Sequence, residues 1–393
     1  MKVLVSAHRL EIGGTQVNSI ELAAHMRDRY GHDIVFWAQP GPMLKLVEAK
    51  GLKFIPAPDA RVHPSLARMK SLRTIVREEV PDLIHAWDWW QGLDVYLSVH
   101  LPWKKPLVIT DMMMGVSRVL PKTIPTTFGT PFVVRSAKAA GWRRAELLLP
   151  PVDVEFNAPG AVDASAFRQQ YSEPGTVLVV TVARLAALMK LDSLLRAIDA
   201  VQRLNGRVAL KLIIVGDGTE RARLEALARQ TNELLKREAV VVAGPMVDPR
   251  PAYAAADIVI GMGGSALRGM AFAKPVIVVG EQGFAQAFLP ETRDYFYDNG
   301  MFGQGDPASK ESQLASELAL MTQDGVDRDA IGVFGRDFVV RHYSLDAVGA
   351  VLDRVYRSAA VGRLSSTATA SDAARTMYMY LRERRFSCPS RER

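Results

Sequence analysis

Short apolar runs alternate with longer stretches of helical spacing, and the alternation occurs twice along the chain. Strands apolar at every position are buried on both faces and need helices above and below, so this rhythm points to a parallel-sheet α/β fold. In the first half the runs fall at 3–6, 34–38, 54–56, 83–86, 107–110, 132–134 and 147–149, with helices predicted over 16–29, 42–50 and 64–79. The stretch 150–175 breaks the rhythm with Pro150-Pro151, Pro159-Gly160 and Pro174-Gly175. Strands resume at 177–182, 211–215, 240–243, 258–260 and 276–279, with helices predicted over 191–204 and 220–235. Beyond Asp306 the pattern is helical, and Leu345, Val348, Leu352 and Val355 stand on one helix face.

A chain of 393 residues exceeds one hydrophobic core, which fits two doubly wound domains. The expected division is 1–155, a linker 156–175, a second domain 176–342, a helix 343–358 and a flexible basic tail 359–393 with a short helix at 373–385.

The net charge of +7 does not argue for nucleic acid, because residues 361–393 carry seven arginines against three acids and so hold four of those charges. A basic end of this kind suits a solvated tail or a weak, salt-sensitive contact with a membrane surface. No apolar run reaches the ~18 residues of a membrane span, and the start is too soon charged for a signal peptide, so the expected location is the cytoplasm. Cys388 is the single cysteine, which leaves no intramolecular disulfide and no cysteine-based metal site.

Four strand-to-helix turns carry candidate chemistry. Gly13-Gly14 follows the first strand, where glycines let backbone amides approach a phosphate or sugar hydroxyl. Arg184 and Lys190 bracket the turn after the strand at 177–182, a fork and a point charge suited to a diphosphate. Gly216-Asp217-Gly218 is a tight turn first and a ligand contact second. The run Gly261-Met262-Gly263-Gly264-Ser265-Ala266-Leu267-Arg268 ends a strand in glycines and opens a helix at a serine. In His85-Ala86-Trp87-Asp88-Trp89-Trp90, flat indoles suit sugar rings and His85 or Asp88 could take a hydroxyl proton, while core packing of the next helix explains the tryptophans equally.

In this order the motifs over about residues 1–358 resemble the GT-B glycosyltransferases, family-4 type. Gly13-Gly14 is similar to that family's double-glycine loop and Arg184…Lys190 to its diphosphate pair. Val152-Asp153 resembles the end of its linker motif, Gly216 to Leu224 its Gly-Asp-Gly run, and Ala271 to Ile277 its Ala-x-Gly-x-Pro-Val-Ile segment with Ala273 in place of glycine. The segment 343–356 resembles the final helix that crosses back to the first domain. Two positions depart: Arg268 stands where a ribose-binding glutamate is expected, and Asp111 where a histidine commonly meets the donor sugar. A cation cannot accept hydrogen bonds from ribose hydroxyls.

The resemblance implies two Rossmann-like domains facing a nucleotide-sugar cleft and a retaining, metal-independent transfer with no cofactor, in natural-product or polysaccharide biosynthesis. The donor belongs to the second domain and a small-molecule or glycan acceptor to the first. On this reading Asp111 and Glu281 are the catalytic candidates. Gly14, Arg184, Lys190, Gly264, Ser265 and Ala266 hold the diphosphate. Gly216, Pro245 and Arg268 meet the nucleotide, and His85, Asp88 and Trp89 meet the acceptor. Arg268, Asp111 and Pro150-Pro151, which replace the first two residues of the linker motif, also motivate a second reading, a GT-B-like binding or partner subunit without catalysis. A third is a sugar-nucleotide epimerase on the same scaffold, which would need no acceptor.

Overall fold

The computed structural model describes residues 1–60, 62–306, 312–362 and 366–383; the stretch 384–393, with Cys388 and the last four arginines, lies outside the described residues. The chain forms two compact units, Met1–Pro151 with Leu345–Arg393, and Val152–Ser344.

The first unit holds a wholly parallel sheet of β1 (Lys2–Ser6), β2 (Asp33–Ala38), β3 (Lys53–Pro56), β4 (Leu83–Trp87), β5 (Leu107–Asp111), β6 (Thr126–Phe128) and β7 (Ala145–Leu147). Its order is β3-β2-β1-β4-β5-β6-β7, so the connections diverge between β1 and β4. The second unit contains β8 (Val177–Val182), β9 (Leu210–Val215), β10 (Val240–Gly244), β11 (Ile258–Gly261), β12 (Val276–Val279) and β13 (Ala285–Ala287). These run β10-β9-β8-β11-β12-β13, diverging between β8 and β11, with only β13 antiparallel. Ligands of open α/β sheets bind beyond the carboxyl ends of the strands where the order reverses.

Several expectations need correction. The run 132–134 is not a strand but part of the helix Pro131–Ala139, because Thr130 caps it by accepting from the Val133 amide and Pro131 presets its first turn. The strand at that place is Thr126–Phe128, whose polar-looking threonines are buried and paired, Thr127 to Thr110 at 2.7 Å. Residues 156–175 contain the helix Ser165–Tyr171, anchored by buried Phe167. The helical run Trp89–Val95 continues into a π-helical turn at Tyr96–His100.

Tyr343 ends the helix Arg328–Tyr343 of the second unit, and the helix Leu345–Val361 belongs to the first. There His32 Nε2 lies 3.0 Å from Asp353 Oδ1, and a side chain at Gly349 would strike the His25 ring at 2.7 Å.

The tail is not a flexible solvated end over its described part. The helix Ser366–Arg382 docks on the first unit, with Ala373 and Tyr380 against its core. Asp372 accepts from the Thr123 amide and hydroxyl, each at 2.8 Å, and Arg375 donates to the carbonyls of Arg118 and Leu120. Arg375 is thus committed to this contact, since its charge serves backbone carbonyls and Asp372. Asp372→Ala should therefore lower stability by about 2 kcal/mol, the worth of losing charge-assisted bonds at a buried acceptor. Urea denaturation reads this; an unchanged midpoint would mean the docked helix contributes nothing.

A buried polar network ties the first unit's helices together. Asp94 accepts from the Ser65 amide at 2.7 Å and from Arg68 Nε at 3.1 Å, and sits 2.7 Å from His63 Nδ1. The Arg68 guanidinium lies 4.2 Å over the Trp37 ring.

Candidate functional site

The reversal point of the second unit is built from the turn after β8 and the turn after β11. The first of these is held by backbone bonds: the Ala183 amide donates to Val215, Leu185 to Asp217 and Glu220 to Leu185. Gly216 and Gly218 make this approach possible. Their φ values are +146° and +155°, and a Cβ would lie 1.9 Å from the Ala183 carbonyl and 2.3 Å from that of Leu185. Gly216 thus fixes the loop that carries Arg184, and exposed Pro245 follows Gly244, whose carbonyl accepts from the Gly216 amide.

Lys190 is the cap residue of the helix Leu191–Arg203, reached through Met189 at φ +63°. Burial first, and then the Arg184 charge, push the Lys190 ammonium down to about 8. The half-buried Lys190 ammonium and the exposed Arg184 guanidinium thus put two positive charges on the turn after β8, each disfavouring the other.

On the other side, Gly263 at φ +51° leads into the helix Gly264–Ala271, whose N-terminus receives no side-chain cap. The expected cap, Ser265, instead donates its hydroxyl to the Val182 carbonyl at 2.7 Å and meets Tyr253 Oη at 3.0 Å, which locks this helix start to the end of β8. Arg268 folds back along the helix and reaches the Gly264 carbonyl at 3.5 Å. Its charge therefore reinforces the positive helix N-terminus at Gly264, Ser265 and Ala266. Glu281 is half-buried on the loop after β12, bonded through its backbone to Gly303 and Gly305. That loop adjoins the first turn after Lys190, because the Gly283 amide donates to Asp192 at 2.9 Å.

The first unit's reversal point lies between the turns after β1 and β4. His8 stands two residues beyond β1, and its Nε2 is in ion-pair contact with Asp88 Oδ2, just beyond β4. Asp88 has φ +71° and ψ 159°, a region populated almost only by glycine and costing about 1–3 kcal/mol. It occupies the cap position of the helix Trp89–Val95 yet makes no side-chain cap bond. Behind it Asp111 is wholly buried, accepts from the Met113 amide at 3.1 Å, and has its pKa raised well above the carboxylate range by burial and then by Asp88. Gly14 opens the uncapped helix Gly14–Tyr30, tied to the turn after β1 by Gln16 Nε2 donating to the Arg9 carbonyl at 3.3 Å.

Two expected acceptor residues are reassigned. His85 is fully buried with both ring nitrogens engaged, Nδ1 at 2.7 Å from Tyr356 Oη and Nε2 at 2.7 Å from Thr110 Oγ1, and burial lowers it to about 3. It joins β4 to β5 and to the helix Leu345–Val361, so its ring nitrogens are taken up inside the first unit. Trp89 packs in the first unit's core beside Trp90. Asp88 and Asp111 do come together. His8 was missed, and its only sequence signal is a histidine just past an all-apolar strand.

Two family models match. "Glycosyltransferase Family 4" covers residues 12–111, and "Glycosyl transferases group 1" covers residues 176–315. No curated protein matches the sequence. Among solved structures, a glycosyltransferase from Rickettsia africae is 16% identical with a TM-score of 0.72, over 92% of this chain and 99% of that one. Anabaena HepE, in complex with UDP, is 17% identical with a TM-score of 0.71, over 91% and 100%. WaaG, a glycosyltransferase involved in lipopolysaccharide biosynthesis, is 16% identical with a TM-score of 0.61, over 90% and 99%. At such identities the structures speak for the fold, and the family models speak for the activity. With one glycosyltransferase model on each of its two doubly wound units, the chain belongs to the GT-B-fold glycosyltransferases.

Proposed function

We propose that the enzyme moves a sugar from a nucleotide-diphosphate donor, bound by the second unit, to a hydroxyl acceptor bound by the first, with retention and without a metal or cofactor. The observation that carries this reading is the cationic turn at the second unit's reversal point, where Arg184 and half-buried Lys190 lie close enough to repel. A departing diphosphate gathers negative charge as its bond to the sugar breaks, and preorganised cations stabilise that charge most in the transition state. HepE, of the same fold, binds UDP and UDP-glucose, which supports a uridine donor here. Arg268 supplies further positive charge where ribose hydroxyls would look for an acceptor, so the nucleoside contact differs from a carboxylate-based one. Retention is the resemblance's implication, and the anomeric configuration of the product reads it.

A glycan or small-molecule acceptor in a polysaccharide or natural-product route completes the reading, with the protein at or near the cytoplasmic membrane face. Among the described residues no helix is long and apolar enough to cross a membrane. The test is thermal unfolding with UDP, GDP, ADP and dTDP and their glucose conjugates. Ligand at ~100 times its dissociation constant adds about 2.7 kcal/mol, so one base should raise the midpoint clearly above the others. No shift with any of them would remove the donor site. A shift without consumption of any donor would favour the binding-subunit reading that Arg268 motivates.

A further inference from the structure

Residues 112–125 form a loop at the carboxyl end of β5, on the sheet edge where open α/β folds take their ligands. A stretch of this length without helix or strand is uncommon in a compact unit unless it binds something. Its internal backbone bonding is sparse: the Leu120 amide donates to the Ser117 carbonyl at 3.2 Å. Val119, Leu120 and Ile124 are buried in the first unit's core and anchor the second half of the loop. The first half, Met112-Met113-Met114-Gly115-Val116-Ser117, carries no charge, and Met113 and Met114 are 52% and 45% exposed. Met112 lies back against the turn after β6, where a Cβ on Gly129 would come 3.0 Å from its Sδ.

What holds this loop is the tail helix Ser366–Arg382. Its buried positions Thr369, Asp372 and Thr376 stand on one face at helical spacing, and all three are polar. Apolar burial alone does not dock such a face, so the specific bonds decide where it sits. Asp372 Oδ2 accepts from the Thr123 amide and hydroxyl, and Arg375 donates to the carbonyls of Arg118 at 2.9 Å and Leu120 at 2.5 Å. Arg375 Nε also donates to Asp372 at 3.0 Å, which joins the two residues into one clamp. Each of these bonds to the first unit falls on the loop and serves backbone groups that its own sparse bonding leaves over. Both segments lie outside the stretches 12–111 and 176–315 that the family models match.

We propose that Met113 and Met114 take the apolar chain or ring of a hydroxyl acceptor, and that Asp372 and Arg375 are positioning residues that hold the loop for it. The inference rests on the glycosyl-transfer reading, which puts the acceptor on the first unit. Methionine suits the task, because its unbranched, polarizable side chain fits apolar partners of varied shape. The side chains from Met112 to Val116 offer no hydrogen-bond donor to a bare sugar, so what they recognise is the apolar substituent that the acceptor carries. Asp372 and Arg375 touch no substrate in this scheme and act through the loop.

The test measures transfer from UDP-, GDP-, ADP- and dTDP-glucose to the methyl, octyl and phenyl glycosides of glucose, galactose and mannose. A glycoside that accepts no sugar is read as an inhibitor of donor hydrolysis. In the parent, the octyl or the phenyl series should show a KM or inhibition constant about tenfold or more below the methyl series, the scale of one apolar group in a pocket. The larger of the two gains tells a lipid-like chain from an aromatic aglycone. Met113→Ser with Met114→Ser should remove most of the gain and leave nucleotide Kd within about twofold, as distant sites do. Asp372→Ala, assayed where it is fully folded, should raise the KM of the favoured series about five- to tenfold, more than it lowers kcat. Asp372→Asn keeps an oxygen for Thr123 and should recover part of that loss, whereas Arg375→Lys loses the fork that spans two carbonyls and should not. A merely structural tail helix would lower the folded fraction and leave KM alone. Octyl and phenyl groups that bring no advantage over methyl, or an advantage that the double serine variant keeps, overturn the inference and leave glycosyl transfer standing. A parent-like KM in both Asp372→Ala and Arg375→Lys overturns the positioning role. A parent that consumes no donor overturns glycosyl transfer itself, and the inference falls with it.

Discussion

Lys190→Ala should cut turnover by about two to three orders of magnitude, the scale on which a single preorganised charge partner acts in a transition state. The same variant should be no less stable than the parent without ligand. Burial and then Arg184 hold the ammonium near 8, against an ordinary lysine value of 10.5, so the folded unit carries a charge that its surroundings disfavour. Between those values the unfolded chain holds a proton that the folded one has released. Ligand-free stability therefore climbs as pH rises through that window, and below 8 the full cost of the buried charge is present. Alanine removes the cost at neutral pH, and a bound diphosphate offsets it. In the parent, the donor KM should rise above pH 8 as the cation is lost. Steady-state kinetics with melting curves at pH 7 and 9 check both halves. Turnover within about fivefold of the parent would remove Lys190 from the diphosphate site.

Asp94→Ala should destabilise the first unit by about 3–5 kcal/mol, the cost of breaking a buried ionic cluster from one side. Asp94 is wholly buried and Arg68 nearly so, and the carboxylate joins Arg68, the Ser65 amide and His63 in one network. The change removes the carboxylate that balances Arg68 and loosens the helix Leu66–Glu79 from Trp89–Val95. Asp94→Asn keeps the shape and acceptor oxygen and should cost less. Urea denaturation of both variants reads the difference, and a loss under about 1 kcal/mol for alanine would show that the network holds little.

The strands were legible where every residue was apolar, because burial on both faces leaves no room for polar side chains. Thr126–Phe128 escaped since hydroxyls can be buried when they pair, as Thr127 does with Thr110. The Phe132-Val133-Val134 run misled in the opposite direction: Thr130 and Pro131 were helix-start signals that outweighed its β character. In the second unit the cations flanking the turn after β8 stand out in sequence because one turn carries both. The His8–Asp88 couple does not, since it depends on β1 lying beside β4 and joins residues 80 positions apart. His85 shows the same limit: its partner Tyr356 lies 271 residues away, and only the return of the Leu345–Val361 helix to the first unit makes the histidine structural. The docked tail helix follows suit, because Asp372 and Arg375 read as surface charges until Thr123 and the carbonyls of Arg118 and Leu120 meet them.

Glycosyl transfer itself is tested most directly by incubating the protein with nucleotide sugars and an acceptor panel, following nucleotide-diphosphate release and the mass of the acceptor together. The expected result is release that depends on acceptor, a gain of one sugar mass on that acceptor, and loss of both signals in Lys190→Ala. Release of no nucleotide diphosphate from any donor, or release that Lys190→Ala leaves untouched, would contradict the account.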